Sequence, residues 1–149
     1  MWSPKKNKKL MNLSARRWAK LARAACELLV ARLWFAYRPT NAILSDLQST
    51  KAPGRNAQSP ELGDISWAMD VASRHVPWRS DCLIQAMAAN RWLRRRYSVE
   101  PQFYLGIKKD GGNTLAAHAW LTVGDRVITG GNISGFQPIL QPDQDRSAL

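Results

Sequence analysis

The chain is poor in histidine, cysteine and acid. Its 149 residues hold two His, two Cys and 11 Asp or Glu against 22 Lys or Arg. Two cysteines cannot make a disulfide framework, and Cys26 and Cys82 stand in unlike surroundings, so the expected compartment is the reducing cytoplasm. Cys26, His75, Cys82 and His118 do not have zinc-ligand spacing, and no metal or other cofactor is expected. No clean apolar run is present. Lys20, Arg23, Glu27 and Arg32 interrupt the best candidate, which excludes a comfortable transmembrane helix and a secretory signal behind "KKNKK". "DGGN" and "TGGN" lack the helix and lysine that a phosphate-binding loop requires. There is no internal repeat.

What is present is a chain of single-domain length, 45% hydrophobic, with seven tryptophans. Its charge is uneven. Net charge is +11, and residues 1–38 carry ten Lys or Arg against one acid, Glu27, so +9 of it lies there. A basic arm implies an anionic partner such as lipid headgroups, nucleic acid or an acidic peptide; the plain alternative is a solvated helix face with a basic tail.

Residues 1–11 read as a disordered basic tail. Asn12 or Ser14 could cap a helix reaching residue 37, with Trp18, Leu21, Ala25, Leu28, Leu29, Leu33 and Phe35 on a broad apolar face, before Pro39 ends it. Arg16, Arg17, Lys20 and Arg23 stand at the positive end of its dipole, which costs some stability and hints that they serve a partner. "NAILSDLQ" is a shorter amphipathic segment, and "STKAPGRNAQSP" is a linker. Pro60, Glu61 and Asp64 open a second long helix, closed by Pro77. A third begins at Ser80 or Asp81 and ends in Arg94, Arg95 and Arg96. Then the texture alternates: "PQFYLGIKK", "TLAAHAWLTV" and "RVITGG" are strands joined by "DGGN" and "GD" turns, and "FQPILQP" is a short fourth strand before a frayed tail. Helices first and an antiparallel sheet after them make an α+β domain.

Cys82 falls in the first turn of the third helix, where free N–H groups and the dipole stabilise a thiolate. His118 lies mid-strand in the sheet that must pack on that helix. A cysteine at a helix start against a strand histidine is the layout of a thiol acyl-transfer site. The imidazole moves the proton, and the Cys82 amide N–H helps hold the oxyanion. The plain alternatives are a small buried cysteine and a satisfied core histidine. His75 reads as a helix C-terminal dipole partner, and Cys26 as core.

The run "WRSDCLIQAMAANRWLRRRY", then "FYLGIKK", "AHAW" and "DRVITGG", resembles the B proteins of lasso peptide biosynthesis, which are transglutaminase-like cysteine peptidases. The resemblance covers roughly residues 60–140 and implies a papain-like or transglutaminase-like α+β fold. On it, residues 12–58 are a helical lead-in and linker, and residues 59–149 are the peptidase domain of a stand-alone member. Cys82 matches the family's nucleophile and His118 its base. The implied reaction removes the leader from a ribosomally made precursor peptide. The implied partners are that precursor, a separate leader-recognition protein and an ATP-dependent lasso cyclase.

Triads of this kind use Asp or Asn to orient the histidine. Asp125 is seven residues away, about 20 Å along a strand, which is too far. A two-residue "GD" turn places His118 across from Gly131, so Thr129 and Asn132 are the side-chain candidates. Asn132 is favoured, given a bulge at Gly130 and Gly131; a backbone carbonyl or a water is the alternative. Trp78, Arg79 and Trp120 are candidate substrate contacts: Trp120 shares a strand face with His118, and Arg79 could attract an acidic leader. The basic N-terminus could also touch a membrane peripherally. Two rival classes remain: a non-catalytic peptide-binding module on the same fold, and a nucleic-acid binder suggested by the basic pI. No helix-turn-helix supports the latter, and no specific nucleic acid is expected.

Overall fold

The computed structural model of the chain describes residues 13–49, 61–97, 99–112 and 114–142. The expected basic tail, linker and frayed C-terminus fall largely outside these residues. Four helices precede four strands: α1 (Ala15–Tyr37), α2 (Thr40–Gln48), α3 (Glu61–His75), α4 (Cys82–Tyr97), β1 (Gln102–Asp110), β2 (Thr114–Val123), β3 (Arg126–Thr129) and β4 (Gln137–Leu140). The strands form one antiparallel sheet in the order β3-β2-β1-β4. This is the α+β arrangement that the order of sequence patterns implies.

Ser14 takes the N-cap position of α1, although its side chain makes no capping bond, and Arg38 closes the helix by donating its N–H to the Trp34 carbonyl before Pro39. The inward side of α1 is Leu21, Ala24, Leu28 and Ala31, with the carboxylate of Glu27 among them. Glu27 is not left alone there: Arg91 of α4 and Arg23 one turn back each approach it to 2.8 Å. A buried acid is stable only with such partners. The expected apolar face of α1 is therefore split. Leu21 and Leu28 point inward, whereas Trp18, Leu29 and Leu33 are exposed, and Cys26 is exposed rather than core.

α1, α3 and α4 share one apolar core with the inner face of the sheet. Ile65 and Met69 of α3, Ile84 and Leu93 of α4, Phe103 of β1, and Ala119 and Leu121 of β2 are all buried in it. Small Ala86, Ala88 and Ala89 on α4 are fully buried, and let its backbone come close to its neighbours. β1 and β2 pair without interruption from Gln102↔Thr122 to Asp110↔Thr114, which sets Gly106 opposite His118. β3 joins β2 with a shift: Val127 faces Thr122, but Thr129 faces Leu121, so Ile128 is an extra residue in the ladder.

Candidate active site

α4 begins where the Asp81 carbonyl accepts the Gln85 N–H at 3.0 Å, so Cys82 is the first residue of the helix. Its own N–H has no place in the intrahelical ladder and points out of the helix end. The connector before it is pinned twice. The Ser80 hydroxyl donates to the Ser73 carbonyl at 2.8 Å, and the Gln85 side-chain amide donates back to the Ser80 carbonyl at 2.9 Å. These bonds fix where the thiol sits. Cys82 is a half-buried free cysteine, and its thiol makes no hydrogen bond among the described residues.

His118 sits on the stretch of β2 that β3 does not reach, since β3 ends at Thr129. Its Nε2 lies 2.6 Å from the Gly130 carbonyl oxygen. A carbonyl only accepts, so Nε2 carries a proton, and in the neutral ring Nδ1 is the nitrogen that keeps its lone pair. That is the tautomer a general base needs. The ring is set between aromatics: Phe136 at 5.0 Å between centroids, and Trp120 at 6.2 Å and 27°. Trp120 is in turn stacked flat on Tyr104, at 5.5 Å and 6°.

Two glycines make this packing possible. A Cβ on Gly106 would lie 2.7 Å from the Trp120 ring, so the ring rests where a side chain would be. A Cβ on Gly130 would lie 2.4 Å from the Trp120 Cβ, and Gly130 has φ +109°, a region open to glycine and strained for other residues. The carbonyl that holds His118 is thus presented by a backbone conformation that only glycine takes easily. The early bulge at Ile128 brings Gly130, not Thr129, beside the Trp120 position.

Cys82 and His118 line one cavity of about 590 Å³ between α3, the start of α4, and β3 with the residues after it. Gln85, Trp67, Thr129 and Arg126 line it too. The Thr129 hydroxyl is buried there without a partner. Arg126 lies against Gly63 of α3, whose missing side chain leaves room for the guanidinium. A larger cavity, about 670 Å³, lies by the first half of α1 and the end of α4, and holds neither a cysteine nor a histidine.

The remaining expected residues are placed as follows. Asn132 makes no hydrogen bond to the imidazole: its side-chain oxygen accepts the Ser134 N–H at 2.9 Å, a local turn contact, and the Gly130 carbonyl takes the orienting position. Trp120 is beside His118. Trp78 lines a separate apolar groove with Trp18 and Val71, and Arg79 is exposed and paired with Asp81 at 3.2 Å. Neither lines the cavity of Cys82 and His118. His75 holds the Val71 carbonyl at 2.7 Å, at the end of α3 where it was expected. Gln85, Trp67 and Arg126 escaped the sequence reading because each comes from an element whose face toward the cavity is set by packing.

The sequence profile described as the transglutaminase-like superfamily matches residues 24–141. No curated protein and no solved structure matches the chain.

Proposed function

The chain belongs to the transglutaminase-like superfamily, and from that premise we propose that it is a cysteine peptidase which removes the leader from a ribosomally made precursor peptide during lasso peptide maturation. The superfamily includes cysteine peptidases. The observation that carries the reading is that the cysteine at the start of α4 and a histidine with its Nε2 tied to a carbonyl share one peptide-sized cavity. The lasso assignment rests on the motif run from "WRSDC" to "DRVITGG".

In this mechanism Nδ1 of His118 takes the Cys82 thiol proton as the sulfur attacks the scissile carbonyl. The free Cys82 N–H, at the positive end of α4, donates to the oxyanion. Collapse expels the core peptide's amine, which receives the proton from the imidazolium, and leaves the leader as a thioester on Cys82. Water then attacks the thioester, giving its proton to His118. The sulfur leaves and the leader departs as a carboxylic acid. The Gly130 carbonyl stabilises the imidazolium through its dipole. The freed amine passes to the ATP-dependent cyclase, and a separate leader-recognition protein presents the precursor. The reaction takes place in the cytoplasm.

The test is incubation of the chain with a precursor peptide and its leader-recognition partner, read by mass. Cleavage is expected with the unaltered chain. Cys82→Ala and His118→Ala should each lose at least 10³-fold in rate, as removing a member of a nucleophile–base pair does. Leader binding with no cleavage by the unaltered chain would instead make it a peptide-binding module, a reading favoured by the neutral partner of His118.

A further inference from the structure

Among the described residues, five of the seven large apolar side chains that stand exposed lie on α1: Trp18, Leu29, Leu33, Trp34 and Tyr37. Trp34 stacks with Arg91 of α4, but Trp18, Leu29 and Leu33 turn away from the buried residues of the helix. Trp18, Ala22, Leu29 and Leu33 repeat at helical spacing along one outward strip, opposite the inward Ala24, Glu27 and Ala31. The strip continues sideways into an apolar groove of about 430 Å³, where Trp18 and Ala22 meet Val71, Val76 and Trp78.

The charge around this strip has one sign. Arg32 flanks it on one side, and Arg16 and Arg17 are exposed near its start, whereas Arg23 is turned to Glu27. Arg16 and Arg32 have no ionic partner among the described residues. Lys5, Lys6, Lys8 and Lys9 precede the helix in sequence. The single acid of residues 1–38, Glu27, is buried on the other side of α1 and offers a partner nothing. A helix showing Trp and Leu between Arg, backed by a run of Lys, has the composition of a segment that lies in a headgroup layer. No described helix is long and apolar enough to cross a membrane, so contact of this kind is peripheral.

We propose that the outward strip of α1 docks on the anionic surface of a lipid bilayer, with Trp18, Leu29 and Leu33 inserted among the headgroups and the flanking cations on the phosphates. The proposal does not depend on the peptidase reading, since no part of the strip lines the cavity of Cys82 and His118.

Co-sedimentation of the full chain with vesicles tests it. Binding is expected to vesicles of phosphatidylcholine with about one-third phosphatidylserine, at least tenfold stronger than to phosphatidylcholine alone, and weaker at high salt. Leu29→Asp with Leu33→Asp should cut it at least tenfold while the thermal midpoint stays within a few degrees, because both side chains are exposed. In a Cys82→Ser variant, a polarity-sensitive fluorophore on Cys26, which is exposed on the same helix, should shift to the blue on binding. Failure to sediment with the anionic vesicles would overturn the proposal. So would sedimentation without the blue shift, which would assign binding to charge alone. Concentration-dependent dimerisation that Leu33→Asp abolishes would also overturn it, giving the strip to a second copy of the chain.

Discussion

At the scale of single residues, the site depends on Gly130 more than on any side chain near His118. Its carbonyl fixes the imidazole, its φ is +109°, and its missing Cβ leaves room for Trp120. Gly131 is a useful contrast: its φ is +59°, but a Cβ there meets nothing within 4 Å. Gly130→Ala combines backbone strain with a clash and should cost about 3 kcal/mol or more, whereas Gly131→Ala should cost about 1 kcal/mol from strain alone. Urea titration of the two variants checks the difference. The "TGG" pair is visible in the sequence as a break in a strand. What cannot be read there is that the first glycine, rather than Asn132 two residues on, meets the histidine. The bulge at Ile128, a one-residue shift that no local pattern announces, sets Gly130 rather than Thr129 beside Trp120, and from there its carbonyl meets the His118 ring on the same strand face.

At the scale of elements, helix existence and strand existence were legible because caps, prolines and periodicity agree. Pro39, Pro60 and Pro77 bracket the helices, and "TLAAHAWLTV" is β2 to the residue. Which side of α1 faces the core was not legible. Apolar residues lie on both sides of it, and its inward side includes an acid that hydropathy assigns to solvent. The partner that makes Glu27 acceptable, Arg91, is 64 positions away. The two arginines on Glu27 are not equal. Arg91 is the more buried and also stacks over Trp34 at 5.1 Å, whereas Arg23 is nearly half exposed. Arg91→Ala should therefore cost about 2 kcal/mol, and Arg23→Ala less than about 1 kcal/mol, measured by thermal or urea unfolding.

At the scale of the whole molecule, the net charge of +11 sets the response to acid. Asp64 of α3 is held below its usual 3.8, first by the hydrogen bond from Lys20 of α1, with the charges of Lys20, Arg17 and Arg16 adding to it and partial burial opposing. A folded-state value below the unfolded one stabilises the protein above the unfolded value, and that contribution is lost as pH falls through the folded one. Asp64→Asn should accordingly lower the thermal midpoint slightly at pH 6, and the difference from the unaltered chain should vanish well below pH 3.8. Acid also protonates the other carboxylates and raises the positive charge, so added salt should restore more stability at pH 3 than at pH 6.

The two cysteines allow the pairing of Cys82 with His118 to be measured without a substrate, because exposed Cys26 serves as an internal reference. Alkylation by iodoacetamide at pH 6–7, with each site followed by peptide mass, should modify Cys82 more than tenfold faster than Cys26, and His118→Ala should remove that advantage. A Cys82 rate no greater than that of Cys26, or one indifferent to the loss of His118, would contradict a nucleophile–base pair in this fold.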